Sequence, residues 1–345
     1  MTHPSGSPLG VAREMSLGSG PPPAGRRRLG SLNETGASPV VVARVLRSHS
    51  YRGENATMRT TATAVVTVAL LTWAGSGQAQ TIDAGRGALP VTVPAGYTGD
   101  VAAPLIVLLH TYGNTGAGQD QYMGLSALAD TYGFIMVAPD GTPSAGAGNP
   151  RFWHASTACC NWEGEDLDDV GYITGLIDTV KAKYSIDEKR VFILGHSNGA
   201  FMAHRLAYER STNIAAIVSL AGADEMGQRP APDQPIHVLQ IHGTGDTAIA
   251  YDGGEIQGNA YPSATRSVAN WAERNGCSGG GVDAGMLDLD RNLDGMESTI
   301  TRHANGCKAG GSAELWTIAD GAHLPDLSEH FTPLVVEWLL GHPKP

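Results

Sequence analysis

Six short apolar runs constrain this chain more than any other feature. They are PLIVLLH (104–110), GFIMVAPD (133–140), RVFILGH (190–196), IAAIVSLAG (214–222), IHVLQIHG (236–243) and AELWTIAD (313–320). Each is rich in Val, Ile and Leu and lacks polar alternation, the pattern of a strand covered on both faces of a parallel sheet. Helical patterns lie between and after them: DDVGYITGLIDTVKAKY (168–184), NGAFMAHRLAYER (198–210), SATRSVANWAER (263–274) and SEHFTPLVVEWLL (328–340). Strands alternating with helices in this order predict an α/β fold, doubly wound, with a mostly parallel sheet and helices on both faces. Two long segments break the rhythm, 141–167 and 275–312, and are expected to wall a site or to be stapled.

The alternation does not reach the N-terminal part. Residues 1–57 are rich in Pro, Gly, Ser and Arg, show no sustained apolar period, and read as a disordered or mis-assigned upstream extension. From Met58 the chain has one charge at Arg59, an apolar run from Ala62 to Ala74, and the small-residue triplet Gly77-Gln78-Ala79. That layout predicts a signal peptide over 58–79, cleaved after Ala79, with translation starting at Met58. The apolar run is shorter than the about 20 residues a membrane span requires. The remaining 80–345 are expected to form a single catalytic domain of a secreted monomer. Eight of the 23 Lys+Arg and three of the 34 Asp+Glu precede residue 80, which leaves a net charge of −16 over 80–345 against −11 for the whole chain. Such an acidic surface argues against nucleic acid and anionic membrane as partners. All four cysteines fall in this exported part, where disulfides persist. Cys277 and Cys307 flank one segment and are expected to pair; the adjacent Cys159 and Cys160 could pair with each other.

One pentapeptide carries chemistry. GHSNG (195–199) is G-x-S-x-G at the end of an apolar run and the start of a helical pattern, the context in which this motif presents a nucleophilic serine. Glycines on both sides permit a tight turn that a helix-capping serine does not need, so Ser197 is read as the nucleophile. A serine hydroxyl needs a base, and the order on such a sheet is Ser, then Asp or Glu, then His. Asp246 ends HGTGD directly after a strand, with Asp252 a more distant competitor. His323, in ADGAHLPDL, follows the last strand. An acyl-transfer site also needs donors for the oxyanion: the backbone N–H of Asn198 is expected as one, and that of Tyr112, with Thr111 second, as the other. The Tyr112 ring would line the acyl pocket, and Trp153 and Trp162 would either add an apolar shelf for substrate or pack their own loop. No Cys/His spacing suggests a metal, and no cofactor is expected. The run DLDRNLDGME (288–297) has acidic residues at alternate positions, yet the glutamate of a calcium loop would fall on Thr301, so an acidic hairpin turn is the better reading. Asp168 and Asp169 open a helix, where carboxylates favour the dipole.

Taken together, PLIVLLHTYGNTG, FWHASTACCNWEG, DLDDVGYITGLI, RVFILGHSNGAFMAHRLA and IHGTGDTAIAYDGG resemble the secreted polyhydroxybutyrate depolymerase and feruloyl esterase group of α/β hydrolases. The resemblance runs over nearly all of 86–340. It implies the α/β-hydrolase fold, a triad at Ser197, Asp246 and His323, and a segment beside the active site at Trp153…Cys159-Cys160. It implies hydrolysis of esters, with hydroxyalkanoate or other polyester oligomers as first expectation and feruloyl or acetyl-xylan esters as alternative. A peptidase and a non-catalytic binding protein on the same fold are the remaining readings. Two departures bear on substrate choice: Thr111 stands where many relatives have glycine, and Leu324-Pro325 where they have tryptophan and proline.

Overall fold

The computed structural model describes residues 80–345 except Gln228. The expectations for 1–57 and 58–79 lie outside the described residues. In chain order the elements are β1 (Thr81–Asp83), β2 (Ala88–Thr92), β3 (Ala103–Leu109), α1 (Gly116–Met123), α2 (Ala129–Tyr132), β4 (Ile135–Val137), β5 (Thr142–Pro143) and β6 (Arg151–Phe152). They continue with α3 (Asp169–Lys183), β7 (Ile186–His196), α4 (Asn198–Glu209), β8 (Ala216–Leu220), β9 (His237–Gly243), β10 (Gly254–Ile256) and β11 (Asn259–Tyr261). The last are α5 (Ala264–Arg274), β12 (Val282–Leu287), β13 (Ser298–His303), β14 (Ser312–Ile318) and α6 (Phe331–Leu340).

Ten strands form one sheet in the order β1-β2-β4-β3-β7-β8-β9-β14-β13-β12. The six central strands, β4, β3, β7, β8, β9 and β14, run parallel. Antiparallel strands finish both edges. The apolar runs become these central strands because each sends alternate side chains into two separate cores. In β3, Leu105, Val107 and Leu109 meet the core under α3, α4 and α5, whereas Ile106 and Leu108 meet the one under α1, α2 and α6. Polar alternation would place polar groups in one of them. This is the α/β-hydrolase fold, with helices on both faces as expected.

Helix α1 and two edge hairpins are among the elements that were not foreseen. Helix α1, GAGQDQYM, is poor in helix formers and buries only Gly116, Gln119 and Met123; it stands through its caps, Thr115 accepting from Gly118 N and Gly124 closing at φ 64°. The β1–β2 hairpin and the β12–β13 hairpin are short or solvent-facing edge pieces that bury few side chains. The segment 275–312, expected as a linking loop, thus extends the main sheet, and 288–297 is the turn of its hairpin. Disulfides join Cys277 to Cys307 at the base of that hairpin and Cys159 to Cys160. Among the described residues no helix is long and apolar enough to cross a membrane.

The Cys277–Cys307 bond closes a sequence separation of 30 residues. Replacing both cysteines by serine is expected to cost about 3 kcal/mol, mainly by freeing the unfolded chain. A urea melt with the disulfide intact and absent checks this through the midpoint.

Candidate active site

Strand β7 stops at His196, helix α4 starts at Asn198, and Ser197 alone makes the turn, at φ 53° and ψ −118°. A non-glycine residue held in such a region costs about 1–3 kcal/mol and persists only when its surroundings enforce it. Here they do. Ser197 N donates to Leu220 O at 2.8 Å, and its carbonyl accepts from Ala200 N at 2.8 Å and Phe201 N at 3.0 Å. The turn also needs two close backbone passages. A Cβ on Gly195 would sit 2.1 Å from Gly199 O, and one on Gly199 would sit 2.3 Å from Leu109 O. The Ser197 side chain does not cap α4. Its Oγ lies instead 2.9 Å from His323 Nε2.

The residues expected to work together meet in space. His323 Nδ1 is 2.7 Å from Asp246 Oδ2. The Asp246 carboxylate also accepts from Ala248 N and Ile249 N, both at 2.8 Å on Oδ1, and lies 3.2 Å from His242 Nε2. Burial alone would raise this carboxyl. The hydrogen bonds from His242 and His323, the charge of His323 and the Ile249 amide outweigh burial and hold it well below the usual carboxylate range. Asp252, the competitor, is exposed. The His323 ring is thus fixed by an ionised, buried carboxylate, an arrangement in which an imidazole can accept a serine proton and keep its orientation.

Of the expected oxyanion donors, Asn198 N–H opens α4, where no helical carbonyl reaches it. Thr111 N–H donates to Gln119 Oε1 at 3.3 Å. Among the described residues Tyr112 N–H has no intramolecular acceptor, which leaves it the better placed of the two. The Asn198 side chain also holds a loop in place. Its Oδ1 accepts from Trp153 N at 2.7 Å while its Nδ2 donates to Trp153 O at 2.9 Å. This pins the 141–167 segment to the elbow. The same segment is held by Asp169, which is buried and accepts from Arg86 Nη2 and His154 N, both at 2.6 Å. Asp168 is the helix cap, accepting from Gly171 N at 2.7 Å.

Trp153 does not form the expected shelf. It is 0% exposed, its Nε1 donates to His110 O at 3.1 Å, and its ring packs on that of His110. A residue so enclosed stabilises the loop rather than meeting a substrate. Trp162 is 42% exposed and its ring lies 4.6 Å from that of Tyr112, so these two form the aromatic surface.

Sequence reasoning missed the buried imidazoles around the acid and the base. His242, four residues before Asp246, could have been singled out from HGTGD; Gln119 could not, since α1 was unseen. His196 is wholly buried, between Gln119 Nε2 at 3.2 Å on its Nδ1 and His323 O at 3.0 Å from its Nε2. Burial pushes it down to about 4, against partial support from the His323 carbonyl. Among the described residues no cluster of three or more His, Cys, Asp or Glu is placed to hold a metal ion.

A family model described as phospholipase/carboxylesterase matches residues 97–270, half of the chain, including Ser197 and Asp246. The chain belongs to this family. It is 27% identical over 242 residues to feruloyl esterase B of Piromyces equi, covering 68% of this chain and 42% of that protein. It is 32% identical over 130 residues to poly(3-hydroxyalkanoate) depolymerase C of Paucimonas lemoignei, covering 38% of this chain and 30% of that one. The chain therefore matches less than half the length of either. Among solved structures, the acetyl xylan esterase from Aspergillus awamori shares the fold, with a TM-score of 0.52, 17% identity, and coverage of 75% of this chain and 98% of that one. These relatives agree with the resemblance read from the sequence motifs.

The buried groups set a direction for stability against pH. The unfolded chain takes up a proton at His196 near the ordinary 6.5, which the folded chain refuses until about 4. Asp246 adds the same sign lower down, since its folded carboxyl also resists protonation. Acid therefore favours unfolding, and His196 alone contributes up to about 3 kcal/mol, at about 1.4 kcal/mol per pKa unit. Melting temperature measured from pH 7 to pH 4 is expected to fall steadily; a flat profile would show these groups to be solvated.

Proposed function

We propose that this protein hydrolyses carboxylic esters through Ser197, His323 and Asp246. The observation that carries the reading is the unbroken hydrogen-bonded line from Ser197 Oγ through His323 to Asp246, at 2.9 and 2.7 Å. His323 Nε2 takes the Ser197 proton as Oγ attacks the ester carbonyl. The oxyanion that forms accepts from the backbone N–H groups of Asn198 and Tyr112. His323 then gives its proton to the departing alkoxide, leaving an acyl-enzyme, and water repeats the sequence to release the acid. Asp246 stays ionised and orients His323 throughout.

The proposed acyl group is flat and apolar, as in phenolic esters of the feruloyl type, because the half-buried Tyr112 and the exposed Trp162 together offer an aromatic surface beside the oxyanion loop. The 32% identity to a poly(3-hydroxyalkanoate) depolymerase favours hydroxyalkanoate oligomers as a second reading. Two disulfides support a secreted, oxidising location, and the acidic surface supports a small ester rather than nucleic acid or anionic membrane as partner.

Residues 80–345 are to be assayed on methyl ferulate, a hydroxybutyrate trimer and p-nitrophenyl butyrate. Ser197→Ala is expected to lose at least about 10³-fold in kcat/KM on all three. Trp162→Ala is expected to lose about fivefold on methyl ferulate and much less on the trimer, as an aromatic contact of about 1 kcal/mol implies. Equal rates for native protein and Ser197→Ala would end the serine-esterase reading. A trimer turned over faster than the ferulate, with Trp162→Ala neutral, would favour the polyester.

A further inference from the structure

Behind the acid lies a line of buried polar side chains that the proposed mechanism does not use. Trp271 of α5, His204 of α4, Gln240 and His242 of β9 are each 2% exposed or less. Trp271 Nε1 is 2.9 Å from His204 Nδ1, and His204 Nε2 is 3.2 Å from Gln240 Oε1. Gln240 Nε2 is 2.8 Å from Gly222 O and 3.1 Å from His242 Nδ1. His242 Nε2 is 2.8 Å from Ile249 O and 3.2 Å from Asp246 Oδ2.

Chemistry gives this line a direction. An indole N–H can only donate, so His204 Nδ1 accepts and the proton of the neutral ring sits on Nε2. That proton goes to an acceptor, so the Gln240 amide turns its oxygen to His204. Its two N–H bonds then point to Gly222 O and to His242 Nδ1. His242 Nδ1 is therefore also an acceptor, and its proton sits on Nε2, facing Ile249 O and the Asp246 carboxylate. A proton on His242 Nδ1 would set two donors against each other. Apart from the Gln240 N–H on Gly222 O, each donor in the line thus points toward the Asp246 carboxylate, and aligned hydrogen bonds in a low-dielectric interior polarise one another. Burial also lowers His204 from its ordinary value, against partial support from Asp224 and the Gln240 bond, which keeps it neutral.

We propose, on the reading that Asp246 serves His323 in ester hydrolysis, that His242 is a positioning residue: its Nε2–H, set by a one-way relay from Trp271 through His204 and Gln240, holds the Asp246 carboxylate toward His323. Asp246 is faced by His323 and His242, by the amides of Ala248 and Ile249, and beyond the His323 ring by His196, which burial holds neutral. His242 is faced by Gln240 and by the edge-on ring of Tyr251, whose hydroxyl is engaged with Thr317 of β14. The charged groups Asp224, Arg229 and Arg274 stand at the His204 end. Nothing in this set offers Asp246 a competing cation, so the loss of the His242 donor falls on the Asp246–His323 pair. The pair then takes up a proton more readily, and activity on the acid side fails at higher pH.

The test compares native protein with His242→Phe, His242→Gln and Trp271→Phe in two measurements. The first is the pH profile of kcat/KM on p-nitrophenyl butyrate. His242→Phe is expected to lose about tenfold and to move the acid limb up by roughly one pH unit. His242→Gln, whose amide can still donate, should recover most of both, and Trp271→Phe should show a smaller shift of the same sign. The second is the nitrogen-15 spectrum of the native histidines, which needs no catalysis or variant. His204 is expected as a neutral Nε2–H tautomer, and His242 with its hydrogen on Nε2 and Nδ1 accepting. An active native enzyme whose acid limb is unmoved in His242→Phe overturns the positioning role while leaving the esterase reading intact. A Nδ1–H tautomer or a protonated ring at His242 overturns the relay itself. If the native protein hydrolyses no ester, the esterase reading falls and the spectrum alone decides the relay.

Discussion

The site depends on one strained residue held between two elements of the central sheet. Ser197 adopts a backbone conformation that no isolated chain would choose, and it does so because the amide of Ser197 is tied to Leu220 of the neighbouring strand β8 while α4 begins immediately behind it. The passage of α4 against the end of β3 is so close that only glycine fits at 199, with Leu109 O where a Cβ would lie. Strain of this kind is tolerated because the surrounding parallel strands and their two cores are large and continuous. The strand that ends beside the serine, the helix that begins directly after it and the glycines around them are therefore a single physical object.

The other parts of the site are attached to that object by polar groups rather than by apolar packing. Asn198 grips the Trp153 backbone through both atoms of its amide. His196 donates to the His323 carbonyl and accepts from Gln119, whose oxygen in turn holds the Thr111 amide. The loop carrying the base and the loop after β3 are thus both fastened to the residues that flank Ser197. Buried polar groups that are fully bonded confer rigidity, and left half-bonded they would be costly. That is consistent with neutral, acid-resistant histidines in this layer, since a proton added to His196 would break its acceptor bond to Gln119.

What the sequence made legible follows from where side-chain chemistry is decisive. All six apolar runs became the parallel strands, because burial on two faces demands uninterrupted Val, Ile and Leu, and the four helical patterns appear within three residues of their expected starts. Ser197, Asp246 and His323 were legible because motif and chain order place them at strand ends of one rim. The edge hairpins and α1 were not, since their stability comes from pairing and capping rather than from pattern. Trp153 was misplaced for a similar reason: an aromatic residue in a long loop looks available until the tertiary structure shows Asn198 and His110 enclosing it. The relay behind Asp246 was hidden because Trp271, His204 and Gln240 come from three elements far apart in sequence, and only the fold brings their nitrogen atoms into line.

The central claim is that the elbow presents Ser197 as a nucleophile activated by His323. The most direct measurement is covalent capture: native protein is treated with a p-nitrophenyl alkylphosphonate, whose phosphorus a serine attacks with release of p-nitrophenolate, and the adduct is located by peptide mass spectrometry. The account predicts one phosphonyl group per chain, carried on Ser197 and formed at least about 10²-fold more slowly when His323→Ala removes the base. An adduct on another residue, or labelling at Ser197 that is indifferent to His323, would contradict it.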